Sequence, residues 1–142
     1  MVKEIVKDVE VLKQKSRAFD EKTDMDVIQD LLDTIRAHKD EAAGLAAIQI
    51  GYPVKALAMR DSTTNQFVII VNPRIIKKDR PYTSTESCLS LEGERKVQRY
   101  KRINVVVTYV VNGKLKTTAG TFVDFEAKVL QHECDHFEGK LI

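Results

Sequence analysis

The segment DFEAKVLQHECDHFEG, residues 124–139, determines how the C-terminal part of the chain folds. Its apolar residues recur at helical spacing, which predicts a helix from Asp124, as N-cap, to Glu138, with Gly139 as the stop. One stripe of this helix continues from apolar residues into two histidines, so the histidines are predicted to face inward. The stripe consists of Phe125, Val129, His132 and His136.

Residues 132–136 of this helix form the pattern H-E-x-x-H. Histidines at positions i and i+4 lie one turn apart and can bind a single metal ion. Glu133 lies beside that line, where its carboxylate can reach a metal-activated water without being a ligand, as a general base does. Asp135 is expected either to hold a ligand imidazole in place or to be a plain surface residue.

A catalytic metal site needs a third protein ligand in addition to the two histidines. Cys88 is the strongest candidate because it lies in the stretch Glu86–Leu91, which is short enough to be a strand. Cys134 lies on the helix itself, rotated away from the histidine line. The alternative for Cys88 is a small buried apolar residue, which is the commoner role of a lone cysteine.

Size and composition indicate one globular domain, residues 1–142. The chain is 43% hydrophobic and 31% charged, and its 23 basic and 21 acidic residues give a net charge of only +2. This balance argues against specific nucleic-acid binding. The N-terminal segment is charged throughout and no stretch is apolar enough for a signal peptide or a membrane anchor, so a cytoplasmic protein is expected.

The rest of the chain shows a helix followed by short strands. An amphipathic helix is predicted over residues 24–38, capped by Thr23 and Asp26 and covering a sheet. Strands are predicted over residues 54–59, over 67–71 with a stop at Asn72 and Pro73, and over 103–111. Asn112-Gly113 predicts a hairpin that returns through residues 114–118.

Three segments together resemble the peptide deformylase family: Gly44–Gly51 (GLAAIQIG), Glu86–Ser90 (ESCLS) and Gln131–His136 (QHECDH). Their order and separation also match, and the likeness extends over nearly the whole chain. The resemblance implies an α+β enzyme with antiparallel or mixed β-sheets around the C-terminal metal-binding helix and an N-terminal covering helix. Such an enzyme removes the formyl group from the N-terminal methionine of nascent polypeptides.

The resemblance also implies a role for each site residue. Cys88, His132 and His136 would bind the metal, while Glu133 would take a proton from the water and deliver it to the leaving amine. The side chain of Gln49 and the backbone N–H of Leu89 would donate to the oxyanion that forms on the formyl carbon.

Substrate contacts are implied by the same resemblance. Gly44 would let the peptide backbone approach and pair like an added strand, its alternative being an ordinary turn glycine. Arg95 matches a basic position that contacts substrate. The positions that match the methionine pocket are Ala43, Glu86, Phe125 and Val129.

The metal ion itself is not selected by a set of one thiolate and two imidazoles, which suits zinc, iron, nickel or cobalt. The family resemblance points to Fe²⁺ as the native ion, with Zn²⁺, Ni²⁺ and Co²⁺ as substitutes. N-formylmethionyl peptides and nascent chains are the expected partners.

Three positions depart from the family pattern, namely Ala42, Ile48 and Ser87, where Gly, Pro and Gly are usual. These changes spare every expected ligand and donor but alter the loops, which leaves a non-catalytic protein that binds N-termini as an alternative. An H-E-x-x-H metallopeptidase is the second alternative, although no further ligand follows at the usual distance. Many members of the family continue beyond the position of Ile142 into a C-terminal extension that can be basic and contact the ribosome. Ribosome docking by this chain would therefore use the basic clusters 74–80 and 95–102.

Overall fold

Five strands form one antiparallel sheet in the order β1-β2-β3-β4-β5. The computed structural model describes residues 1–142. The α+β class is confirmed, but the sheet is purely antiparallel, and the only parallel pairing is an isolated bridge between Arg17 and Val54. No helix has the length and apolar character needed to cross a bilayer. The strands are β1 Gly44–Ala46, β2 Ala56–Arg60, β3 Phe67–Glu86, β4 Arg95–Val111 and β5 Lys114–Val123; the helices are α1 Val9–Leu12, α2 Met25–Ala37 and α3 Asp124–Phe137, with a 3₁₀ turn at Ala47–Ile50.

The sheet is covered on both faces where β2 pairs with the start of β3, which explains why Ala56–Met59 and Ile69–Val71 are apolar and buried at consecutive positions. Side chains alternate between the faces of a strand, so Ile69 and Val71 of β3 pack toward α2, whereas Ile70 packs toward α3. Leu31 and Ile35 supply the centre of the α2 side and are fully buried. The predicted covering helix is confirmed, and α3 occupies the opposite face.

Helix α2 has the predicted extent, but its cap differs from the prediction. Asp24 is the N-cap and its side chain makes no capping bond within the helix. Instead its carboxylate accepts from both Arg17 Nη atoms at 2.7 and 2.8 Å and from the Asp20 N–H at 2.7 Å. The Arg17 guanidinium lowers the pKa of Asp24 to about 2. These bonds therefore attach Arg17 and Asp20, which precede α2, to the start of the helix.

Strands β3 and β4 are much longer than predicted. The predicted stop at Asn72 and Pro73 is wrong because these residues form a bulge, where the register shifts between Val71 and Arg74 and the strand continues. Asn72 adopts a left-handed φ of 47° and its side chain binds the main-chain N–H and C=O of Phe19. The side chain thus compensates for the pairing lost at the bulge.

The hairpin at Asn112-Gly113 is confirmed. Both residues have positive φ, 52° and 77°, and Val111 pairs with Lys114 across a two-residue turn. Strand β5 runs to Val123, beyond the predicted end at Thr118.

Helix α3 has nearly the predicted bounds, with Val123 rather than Asp124 as N-cap. Gly139 ends it with a φ of 76°, and the N–H groups of Gly139 and Lys140 bind the last carbonyls of the helix. Phe125 does not face inward as predicted: it is 55% exposed, one turn before the buried stretch begins.

The Gly139→Ala substitution is predicted to destabilise the protein strongly. A Cβ at this position would clash with the Lys13 carbonyl, in addition to the positive φ that disfavours any side chain. Gly93→Ala is the matched control, because Gly93 has a φ of 80° and no atom within 4 Å of the added carbon. Urea unfolding should show a loss of about 1–2 kcal/mol for Gly93→Ala from φ alone. A loss for Gly139→Ala no larger than that would contradict the packing described.

Candidate metal centre

Cys88, His132 and His136 converge at one end of α3. Their ligand atoms all lie within 4.8 Å of one another, and the Nε2 atoms of the two histidines are 3.2 Å apart. The histidines come from α3, whereas Cys88 lies in the loop that follows β3. The expectation that Cys88 sits in a strand is therefore wrong, since β3 ends at Glu86.

Each histidine presents a ring nitrogen to this cluster. His132 Nδ1 lies 2.7 Å from Glu86 Oε1, so Nδ1–H donates to the carboxylate and Nε2 faces His136. Burial lowers the pKa of His132, but hydrogen bonds with Cys88 and Glu86 outweigh it and raise the pKa to about 9. Burial and the nearby His132 charge lower the pKa of His136 to about 3, so this imidazole is neutral with a free lone pair.

The two cysteines have different chemical environments, and both are free thiols. Burial raises the pKa of Cys88, but His132 and the backbone N–H groups of Leu91 and Ser90 outweigh it and bring the pKa below its ordinary value. Cys88 Sγ also lies 2.9 Å from the Ile142 carbonyl oxygen. Burial raises the pKa of Cys134 to about 12, so the two cysteines are shifted in opposite directions and Cys88 is the more acidic thiol.

A series of buried ion pairs contacts His132 at Nδ1, the ring nitrogen that does not face His136. Glu86 accepts from Arg99 Nε at 3.0 and 3.2 Å and from Arg99 Nη2 at 2.9 Å, while Arg99 Nη1 donates to Asp135 at 2.6 Å. Burial raises the pKa of Glu86, but His132 and Arg99 outweigh it and lower the pKa to about 2. These ion pairs therefore hold an ionised carboxylate against the His132 imidazole.

Arg99 was missed at the level of sequence, although a signal for it exists. Arg99 lies an even number of residues before Ile103 and Val105, on the core-facing side of β4. An arginine in that register requires a buried anionic partner. The predicted strand began only at Ile103, so the register was not extended back to Arg99.

Glu133 lies beside the cluster and is buried. Its side chain is only 3% exposed and Oε1 has no hydrogen-bond partner. Burial raises the pKa of Glu133 to about 7. A Cβ at Gly44 would lie 2.6 Å from Glu133 Oε2 and 2.7 Å from Val129 Cγ1, so the carboxylate fits only because residue 44 has no side chain.

Gln49 is held next to the Cys88 loop. Its Oε1 accepts from the Ala46 N–H at 3.0 Å and its Nε2 donates to Ser90 Oγ at 3.1 Å. The Ala46 N–H can only donate, so the Gln49 atom that faces it must be the oxygen. The atom that faces Ser90 is therefore Nε2. The N–H of Leu89 has no partner within the protein.

A cavity of about 440 Å³ opens beside the cluster. Arg95 is not part of its wall, and one of its Nη atoms donates to the Glu92 carbonyl at 3.0 Å. Lys128 and Glu41 also line the cavity, and the sequence analysis did not identify either. The expected site residues in the wall are Ala43, Gly44, Glu86, Cys88, Leu89, Phe125, Val129, His132 and Glu133.

The fold and this cluster define an α+β metal-dependent hydrolase. The model of the polypeptide deformylase family matches residues 2–142. A peptide deformylase of Clostridium beijerinckii is 45% identical over 142 residues, covering all of both chains, and one of Pseudothermotoga lettingae is 35% identical over 92% of this chain and 74% of its own length. The chain belongs to the polypeptide deformylase family.

Solved structures agree with this assignment. A Legionella pneumophila peptide deformylase superimposes with a TM-score of 0.85 at 27% identity, covering 99% of this chain and 83% of that one. The Thermotoga maritima enzyme gives 0.82 at 28% identity, with 99% and 95% covered. The chain is thus a metal-dependent enzyme that removes the N-formyl group of nascent polypeptides. This activity displaces the non-catalytic and metallopeptidase alternatives.

Arg99→Leu is predicted to destabilise the protein by about 3–5 kcal/mol, because it leaves the Glu86 charge buried without its main partner. Arg102→Leu is the matched control: it lies on the same strand, is exposed and makes no ion pair. Urea denaturation of both variants at pH 7 checks the difference. Equal stability of the two variants would show that the buried chain contributes nothing to folding.

Proposed function

We propose that Cys88, His132 and His136 hold one divalent metal ion and that Glu133 is the general base of deformylation. The observation that carries this proposal is the position of a buried, unpartnered carboxylate directly beside the Cys-His-His cluster. A thiolate and two imidazoles with one open position match a catalytic rather than a structural site. We further propose that residues 1–142 act as one catalytic domain and that the enzyme works in the cytoplasm.

The donor set fits a transition metal of borderline softness. We propose Fe²⁺ as the native ion and Zn²⁺, Ni²⁺ or Co²⁺ as substitutes. The neutral imidazole of His136 and the lowered pKa of Cys88 support binding, because a metal ion binds the deprotonated forms of both ligands. When bound, the metal supplies Lewis-acid activation of water and of the formyl oxygen.

The protein groups supply proton transfer and anion stabilisation. Glu133 takes one proton from the attacking water as the oxygen–carbon bond forms, and gives it to the amine nitrogen as the carbon–nitrogen bond breaks. The products are formate and a free N-terminal amine. A pKa of about 7 suits Glu133 to both halves of this transfer. The free N–H of Leu89 and the second hydrogen of Gln49 Nε2 would donate to the oxyanion.

The cavity is proposed to bind the formylmethionine. Gly44 would admit the peptide backbone beside β1. Ala43, Glu86, Phe125 and Val129, which all line the cavity, would surround the methionine side chain. Arg95 would contact the substrate from the first position of β4, outside the cavity wall.

Ribosome docking is proposed for the strand pair that contains residues 74–80 and 95–102. The two basic clusters lie on the paired strands β3 and β4 and are staggered, so that they face each other only at their ends, where Asp79 pairs with Arg102. The region from residue 74 to 102 has nine basic and four acidic residues, a net charge of +5, against −3 for the rest of the chain. None of its exposed cations has an ion-pair partner, which favours a polyanionic surface such as ribosomal RNA.

The combined substitution Lys77→Glu, Lys78→Glu, Lys101→Glu is predicted to weaken cosedimentation with ribosomes at low salt, because it reverses three charges of this surface. Activity on a short formyl peptide should not change, since these residues lie outside the cavity wall. The control is the combined replacement of Lys13, Lys15 and Lys22 by Glu, since these lysines lie between α1 and α2. Unchanged cosedimentation of the variant with Lys77, Lys78 and Lys101 replaced would exclude this strand pair as the ribosome-binding surface.

Glu133→Gln is predicted to lower kcat for formate release from formyl-Met-Ala-Ser by about 10²–10⁴-fold, because the amide cannot accept the proton. Metal content should stay at the wild-type value. Glu138→Gln, on the exposed end of the same helix, should leave both quantities unchanged. An active Glu133→Gln variant would exclude Glu133 as the base.

Cys88→Ala is predicted to lose tight metal binding, whereas Cys134→Ala should retain about one metal per chain. The two residues are the only cysteines, so they form a matched pair. Metal content after anaerobic iron loading and desalting, measured by atomic emission, distinguishes them. Loss of metal in Cys134→Ala with retention in Cys88→Ala would reverse the ligand assignment.

A further inference from the structure

A second groove, of about 770 Å³, adjoins the metal-centre cavity. One wall is the N-terminal segment, residues 3–8, and the opposite wall contains His38 at the end of α2. Glu41 and Leu89 line both this groove and the cavity, so the two spaces meet at these residues. A chain that leaves the cavity past Leu89 enters the groove directly.

The N-terminal wall presents main-chain groups that nothing in the protein binds. Residues 3–7 belong to no helix or strand, and only two of their N–H groups are hydrogen-bonded: Lys3 to Thr34 Oγ1 at 2.9 Å and Val6 to the Gln49 carbonyl at 2.8 Å. The N–H groups of residues 4, 5 and 7 and all five carbonyls have no protein partner. Free main-chain donors and acceptors along a groove suit a peptide main chain.

The side chains of the groove do not favour one class of sequence. Its apolar part consists of partly buried Ile5, Val6 and Leu89, together with Val11 of α1. The charged residues around it have both signs: Lys3 and Lys7 are basic, and Glu4, Asp8 and Glu41 are acidic. Such a surface gives affinity through main-chain bonds and apolar contact while tolerating varied side chains.

We propose that this groove binds the main chain of the nascent polypeptide beyond its first residues. The inference rests on the proposed function, in which the formyl group lies at Leu89. Because Leu89 and Glu41 line both spaces, the residues that follow the formylmethionine would enter the groove and lie against the N-terminal wall. The groove therefore distinguishes a long nascent chain from a short formylated peptide.

The test compares formyl-Met-Ala-Ser with an uncharged eight-residue peptide that has the same first three residues. With wild-type metal-loaded enzyme, the longer peptide is expected to have a KM lower by about tenfold, with kcat unchanged. Glu4→Trp places a large side chain in the groove, so it should abolish the difference in KM between the two peptides. KM and kcat for formyl-Met-Ala-Ser should not change. Glu10→Trp is the control, because Glu10 is exposed on the adjoining helix α1 but does not line the groove.

Equal KM values for the two peptides in the wild type, or a length effect that survives in Glu4→Trp, would overturn the proposal. Loss of the effect in Glu10→Trp as well would also overturn it, since the gain would then not arise in the groove. Tripeptide turnover separates this result from the proposed function: an enzyme inactive on formyl-Met-Ala-Ser contradicts the catalytic assignment itself. A photo-crosslinking residue at position five of the longer peptide, offered to Glu133→Gln, should label residues 3–11.

Discussion

The buried contact between Glu86 and Arg99 is the constraint on which the site depends. Glu86 ends β3, Arg99 lies within β4 and its other partner, Asp135, lies on α3. One guanidinium therefore joins the three elements that surround the cluster. Both side chains are almost fully buried, so each charge is tolerable only with the other in place. The same carboxylate fixes the ring of His132, which links the stability of the fold to the geometry of the Cys-His-His cluster.

The reactivity of the site arises from groups that the fold leaves unsatisfied. Glu133 is buried with a free oxygen, His136 has a neutral imidazole whose Nδ1 is unpaired, and the Leu89 N–H has no acceptor. Groups of this kind reduce stability in a folded core, and they accumulate where a substrate or ion completes them. Gly44 makes the arrangement possible, because any side chain there would displace the Glu133 carboxylate.

Local patterns predicted α2, the hairpin at Asn112-Gly113 and the pair of histidines, because each depends on residues close together in the sequence. Family resemblance added Cys88, which no spacing relates to the helix. Arg99 could not be found without knowing that β4 begins at Arg95, and β3 was cut short because a bulge at Asn72 resembles a strand end. Phe125 follows the helical stripe yet stays exposed, since periodicity does not tell how far along a helix the core extends. The groove along residues 3–8 depends on tertiary contacts alone.

X-ray absorption at the zinc edge of the zinc-loaded protein counts the ligands of the metal by element. We expect one sulfur at about 2.3 Å and two imidazole nitrogens at about 2.0–2.1 Å, completed by a light atom. A first shell without sulfur, or with two sulfurs, would contradict the assignment of Cys88, His132 and His136 as the protein ligands.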